Sequence, residues 1–200
     1  MKKSSYLLFV LLLVLLTVGN GNGYCAENTQ CGGVPGLQKN AGAGDVKAQA
    51  LLGTIYYNGQ CVEQDYVKAS KWFEKAANQG DDYAQGLLGY MYLEGQGVKR
   101  DYDKALVWFQ KAASQGDALT QELLGGLYYK GDEIKQDYAK ARVWFEKAAN
   151  QGKVFAQMSL GMIYARGDGV KQDYVKAKEW LKKSCDNGYQ VGCEEYKKLK

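Results

Sequence analysis

Between Asp81 and Gly116 the apolar residues fall at helical spacing. Leu87, Leu88, Met91 and Tyr92 follow an i, i+3/i+4 pattern, which predicts a first helix over roughly Tyr83–Glu94. Gly95-Gln96-Gly97 interrupts it. A second periodic stretch, with Ala105, Trp108, Phe109 and Ala112 on one face, predicts a helix from about Tyr102 to Gln115. Asp101 stands where a helix N-cap is needed, and its carboxylate suits both the unpaired amides and the helix dipole. Gly116 stands where the chain must turn left-handed to leave a helix.

The same unit recurs every 36 residues: Asp45–Gly80, Asp81–Gly116, Asp117–Gly152 and Lys153–Gly188. Gly53, Gly89, Gly125 and Gly161 form one series; Trp72, Trp108, Trp144 and Trp180 form another. Asp65, Asp101, Asp137 and Asp173 repeat the cap. A period of this size predicts a stacked array in which no unit buries its faces alone. A mid-helix glycine costs about 1 kcal/mol relative to alanine. Its recurrence implies close approach of the second helix, through its tryptophan or a neighbouring aromatic. Residues 27–44 form a polar lead-in, with Leu37–Ala41 aligned to Phe73–Ala77 as a partial helix; residues 189–200 begin like a first helix and turn polar, as a capping helix does.

The chain starts differently. Two lysines precede the apolar run Tyr6–Val18, broken only by Thr17, and a glycine-rich stretch follows. This is the layout of a bacterial secretory signal, and a 13-residue run is shorter than the roughly 20 residues a span needs. Cleavage after Gly23 or after Ala26 is expected, which places the signal within residues 1–26 and the protein in the periplasm or outside the cell.

Composition narrows the chemistry. The absence of histidine rules out histidine-based triads, Cys-His pairs and histidine metal ligands. The net charge is +4, but Lys2 and Lys3 belong to the leader; without them 24 basic residues face 22 acidic ones. That balance gives no nucleic-acid footprint. No cofactor, metal site or membrane span after signal removal is expected. Of five cysteines, Cys185 and Cys193 flank a turn between two antiparallel helices and are expected to pair. Cys25, Cys31 and Cys61 leave two options, Cys31–Cys61 or Cys25–Cys31.

Leu-Gly-x-x-Tyr, then Gly-x-Gly-Val, then Asp-Tyr-x-Lys-Ala-x-x-Trp-x-x-Lys-Ala-Ala resembles the Sel1-like repeat family, relatives of tetratricopeptide repeats. The resemblance covers Asp45–Gly188, with departures at Cys61, at Gly131-Asp132-Glu133-Ile134, at Leu181 and at Ser184-Cys185. It implies an all-α, right-handed α/α superhelix of four helix-turn-helix repeats plus a capping helix. The Cys185–Cys193 spacing is similar to the secreted cysteine-containing branch of the family.

Comparing the copies separates invariant positions from variable ones. The variable residues of the first helices share one face, at i, i+3, i+7, i+10 and i+11, so that face is expected to be spared from stacking. In the related repeats this face lines a concave groove that holds ligands. The resemblance thus implies a scaffold binding a peptide or protein segment, through Tyr57, Tyr83, Tyr90, Leu93, Glu94, Tyr129, Lys130, Phe155, Met162 and Arg166. The partner's identity and the oligomeric state are not written in the sequence. Some cysteine-rich relatives are described as penicillin-binding or weakly β-lactamase-like. The Ser-x-x-Lys, Ser-Asp-Asn and Lys-Thr-Gly motifs of that chemistry are absent here, and no catalytic residue is assigned.

Overall fold

The computed structural model describes residues 33–199. The expected signal, its cleavage points, Cys25 and Cys31 lie outside them. The described residues form ten helices: α1 (Val34–Gly42), α2 (Val46–Asn58), α3 (Tyr66–Asn78), α4 (Asp82–Glu94), α5 (Tyr102–Ser114), α6 (Ala118–Lys130), α7 (Tyr138–Asn150), α8 (Val154–Arg166), α9 (Tyr174–Asp186) and α10 (Gln190–Lys198). Each helix packs on the next, so α2/α3, α4/α5, α6/α7 and α8/α9 are hairpins stacked in a row. The lead-in helix α1 covers one end of the array and α10 the other.

Both helices of a hairpin are capped by aspartate. Asp65, Asp101, Asp137 and Asp173 accept from the amides of Lys68, Lys104, Lys140 and Lys176 at 2.9–3.0 Å. Asp45 and Asp81 accept from Ala48 and Ala84 at 2.7 Å, and Asp117 from Thr120 at the same distance. The α8 N-cap is Lys153, which makes no side-chain cap.

The recurring mid-helix glycines meet phenylalanine rather than tryptophan. A Cβ on Gly53 or Gly89 would stand 2.7 Å from the Phe73 or Phe109 ring, and one on Gly125 2.5 Å from Phe145. In the last hairpin Gly161 faces Leu181. These rings and Leu181 are fully buried. The tryptophans are only half-buried, each with a lysine over its ring: Lys75, Lys111, Lys147 and Lys183 lie 4.0–4.3 Å from the centroids. Phenylalanine has no polar atom to satisfy, which suits the tight helix–helix seam; the indole stays near water.

A glutamine ladder ties neighbouring hairpins. Gln49, Gln85, Gln121 and Gln157 are buried and donate to the carbonyls of Ala41, Ala77, Ala113 and Ala149 at 2.9–3.1 Å. Those carbonyls end the preceding helices, where they also accept from the amides of Gly44, Gly80, Gly116 and Gly152 at 3.0–3.2 Å. Each glutamine in turn accepts, at 2.7–3.0 Å, from Gln79, Gln115, Gln151 or Asn187 at the end of its own hairpin.

Cys185 and Cys193 are joined, with 4.5 Å between their Cα atoms, which fastens α10 to the end of α9. Cys61 is also disulfide-bonded.

Candidate functional site

The one face shared by the variable residues of α2, α4, α6 and α8 is not uniformly open. Tyr83 is 42% exposed, Glu94 and Arg166 are exposed, and Tyr90, Tyr129, Lys130 and Met162 are half-buried. Tyr57, Leu93 and Phe155 are buried, which corrects the expectation that this face is spared from stacking. The Tyr57 ring lies 5.1 Å from Tyr66 and 6.4 Å from Phe73, between centroids. Phe155 sits 6.2 Å from Phe145 and 6.3 Å from Tyr189, spanning from one hairpin to the capping segment. Leu93 belongs to the cluster built around Phe109 and Leu124. The physical cause is that a large apolar side chain gains more from packing on the neighbouring helix than from facing water.

The remaining residues form two polar arrangements. In the first, the Tyr57 hydroxyl donates to Gln96 Oε1 at 2.8 Å, and Tyr90 packs across both halves of the core. Burial raises the Tyr57 and Tyr90 phenols well above the usual tyrosine range. The charge of Glu94, four residues after Tyr90 on α4, adds to both shifts. In the second, the Tyr129 hydroxyl donates to Asp168 Oδ2 at 2.7 Å and accepts from Arg166 Nη1 at 3.1 Å. Burial, then the Asp168 carboxylate, holds this phenol up. Lys130 follows Tyr129 at the end of α6; its ammonium is lowered by burial while Asp132 and Glu133 pull it back up. One oxygen of Glu133 is buried without a hydrogen-bond partner. Gln96 and Asp168 were not among the sequence candidates; they sit in loops and recur at the same place in their repeats, which is the signal that marks them.

None of this is a catalytic constellation. No group of three or more metal-ligating side chains occurs among the described residues, and no helix there is long and apolar enough to cross a membrane.

The Sel1 repeat family model matches residues 46–81, 82–117, 118–153 and 154–189. The chain belongs to the Sel1 repeat family. Solved structures of this family share its Sel1 fold. A protective antigen present in uropathogenic Escherichia coli strains matches with 39% identity and a TM-score of 0.78, over 82% of this chain and 35% of that one. A Sel1 repeat protein from Oxalobacter formigenes matches with 37% identity and a TM-score of 0.78, over 88% and 51%. This chain therefore spans about a third to a half of the length of those relatives. Helicobacter pylori cysteine rich protein B, at 24% identity and a TM-score of 0.51, shares the fold over 68% of this chain. No curated protein matches. Sel1 repeats generally serve as protein–protein interaction scaffolds, and families built on them are generally non-enzymatic.

Proposed function

We propose that this Sel1 repeat protein is an exported scaffold that holds a peptide or protein segment in the groove lined by α2, α4, α6 and α8, and acts in envelope or secretion processes. One observation carries the reading. The repeat-invariant residues of these helices are consumed by the glutamine ladder and the glycine–phenylalanine seam, while the variable face presents Tyr83, Glu94 and Arg166 to solvent. Aromatic and arginine side chains with low rotamer cost are what protein-binding surfaces favour. The disulfides fit an oxidising address, and the lysine-led apolar run at the N-terminus fits export.

A photo-cross-linking amino acid placed at Tyr83, Lys130 or Arg166 should trap a partner from a cell-envelope extract. The same probe at Val107 or Val143, exposed on second helices, should not. Equal trapping from both sets would sink the groove assignment. Intact mass of the exported chain should give an N-terminus at Tyr24 or Glu27; recovery of the full-length chain would remove the export reading.

A further inference from the structure

Two places in the groove are copies of each other, 72 residues apart, and differ at three positions: Glu94 for Arg166, Gln96 for Asp168 and Tyr90 for Met162. At the second, the Tyr129 and Tyr138 rings lie 5.2 Å apart, and the guanidinium of Arg166 rests on the Tyr129 hydroxyl at 3.1 Å. The same hydroxyl is held by Asp168. At the first, the Tyr57 and Tyr66 rings lie 5.1 Å apart in the same arrangement, and Gln96 holds the Tyr57 hydroxyl where Asp168 holds that of Tyr129. The residue at the arginine position is Glu94. Position 90, where the second site has Met162, adds a third ring, Tyr90.

So the chain shows one such aromatic pair carrying a cation of its own. In the other pair the cation is replaced by an exposed carboxylate and an additional π-face. Nearby, burial raises the Glu133 carboxyl, with the charges of Asp132 and Glu94 adding to it and Lys130 opposing. Aromatic faces and a carboxylate together attract a guanidinium or ammonium, and desolvation at a half-buried ring strengthens that attraction.

We infer that Tyr66, Tyr90 and Glu94, backed by the buried Tyr57, form a receptor for a basic side chain, arginine before lysine, on the segment that the groove holds. The planar guanidinium matches the site twice over, stacking on a ring while its edge meets the carboxylate. Two repeats further on, Arg166 and Asp168 meet on one hydroxyl and balance each other, so a basic residue of the segment is directed to the α4 end. This rests on the groove reading above and specifies the chemistry of its occupant.

The test uses the protein with its disulfides intact, labelled with nitrogen-15. The probe is the capped tripeptide Gly-Arg-Gly, with the capped Gly-citrulline-Gly peptide, isosteric but uncharged, as its control. The arginine peptide should shift the backbone signals around Tyr90 and Glu94 at low salt, and the citrulline peptide should not. Glu94→Gln should weaken the arginine peptide several-fold. Glu94→Arg, which supplies the cation from within, should weaken it at least tenfold with an unchanged melting temperature. Equal shifts from both peptides, no shift from either, or full binding by Glu94→Arg overturns the inference. If these fail while cross-linking from Tyr83 and Arg166 still traps a partner, the groove stands and only the basic-side-chain receptor falls.

Discussion

The carboxylate of Glu122, in α6, accepts a hydrogen bond from the amide of Ala156, in α8, at 2.9 Å. Ala48, Ala84 and Thr120 hold the equivalent amides in earlier repeats, and each is capped by the aspartate three residues before it. In the last repeat Lys153 stands in that aspartate's place, and the carboxylate comes instead from the neighbouring hairpin. A local cap has become an inter-repeat one. Removing it with Glu122→Ala leaves a buried amide unpaired and should cost about 1–3 kcal/mol. Adding Lys153→Asp to that variant should restore about 1 kcal/mol. Urea denaturation of both variants measures the exchange; no recovery by Lys153→Asp would show that the carboxylate matters for something other than the cap.

The same residue gives a pH signature. Burial raises the Glu122 carboxyl above its usual range, against the opposing pull of the Ala156 amide and Lys153. A raised folded-state pKa means that the folded chain holds the proton more tightly than the unfolded one. Its contribution is therefore fully present at pH below about 4.3, the ordinary glutamate value, and is lost as pH rises through the folded-state value. Glu122→Gln keeps an oxygen for Ala156 and removes the titration. Relative to wild type, it should gain stability as pH rises from 4 upward, and denaturant midpoints across pH 4–8 would show it. A flat difference would mean that the carboxylate is not desolvated.

Gly125→Ala separates two effects of opposite sign. Helix propensity alone predicts a gain of about 1 kcal/mol. The new Cβ, however, would lie 2.5 Å from the buried Phe145 ring, and overpacking typically costs about 1–3 kcal/mol. Packing should win, so the melting temperature should fall. A rise would mean that the hairpins open apart more easily than their seam suggests.

The repeat spacing gives an expected partner for the bond made by Cys61. Gly97, one repeat on, packs against the carbonyl of Tyr66 and the amide of Val67, and Gly169 lies against Tyr138 and Ala139. Cys61 has the same left-handed backbone, φ 61° against 67° for both glycines. One period back from Val67 is position 31, which is Cys31. Non-reducing peptide mapping should recover Cys31–Cys61; a Cys25–Cys61 peptide would show that the lead-in does not continue the repeat. Losing Cys185–Cys193 through a double serine substitution should cost about 2–3 kcal/mol and release α10 first, seen as faster amide exchange there.

The second-helix caps, the ends of the hairpins and the helical lead-in were legible because each rests on residues adjacent in sequence. Asp101 and Gly116 act on their own turn. What the sequence did not disclose depends on the next repeat. Tyr57, Leu93 and Phe155 vary between copies, and variation reads as freedom. In the fold it is compensated: Tyr57 is matched by Gln96 and Phe155 by Tyr189. A residue that changes along with its neighbour looks the same as one with no neighbour. Of the two aromatics expected at the glycine seam, the tryptophan is the more conspicuous repeat marker, but the seam needs an apolar ring, and Phe73, Phe109 and Phe145 beside it supply it.

The glutamine ladder has a consequence for how such a chain lengthens or shortens. Each rung gives to the hairpin before it and receives from within its own, so the ladder contact is repeated at every junction between hairpins. Cutting the gene between Gly116 and Asp117 and inserting another 36-residue unit would leave no rung without a mate. Deleting a unit would do the same. Length is thus a parameter that recombination can adjust in whole steps without repairing the joint. The variable face would then gain or lose one helix at a time, while the means of holding it together stayed constant.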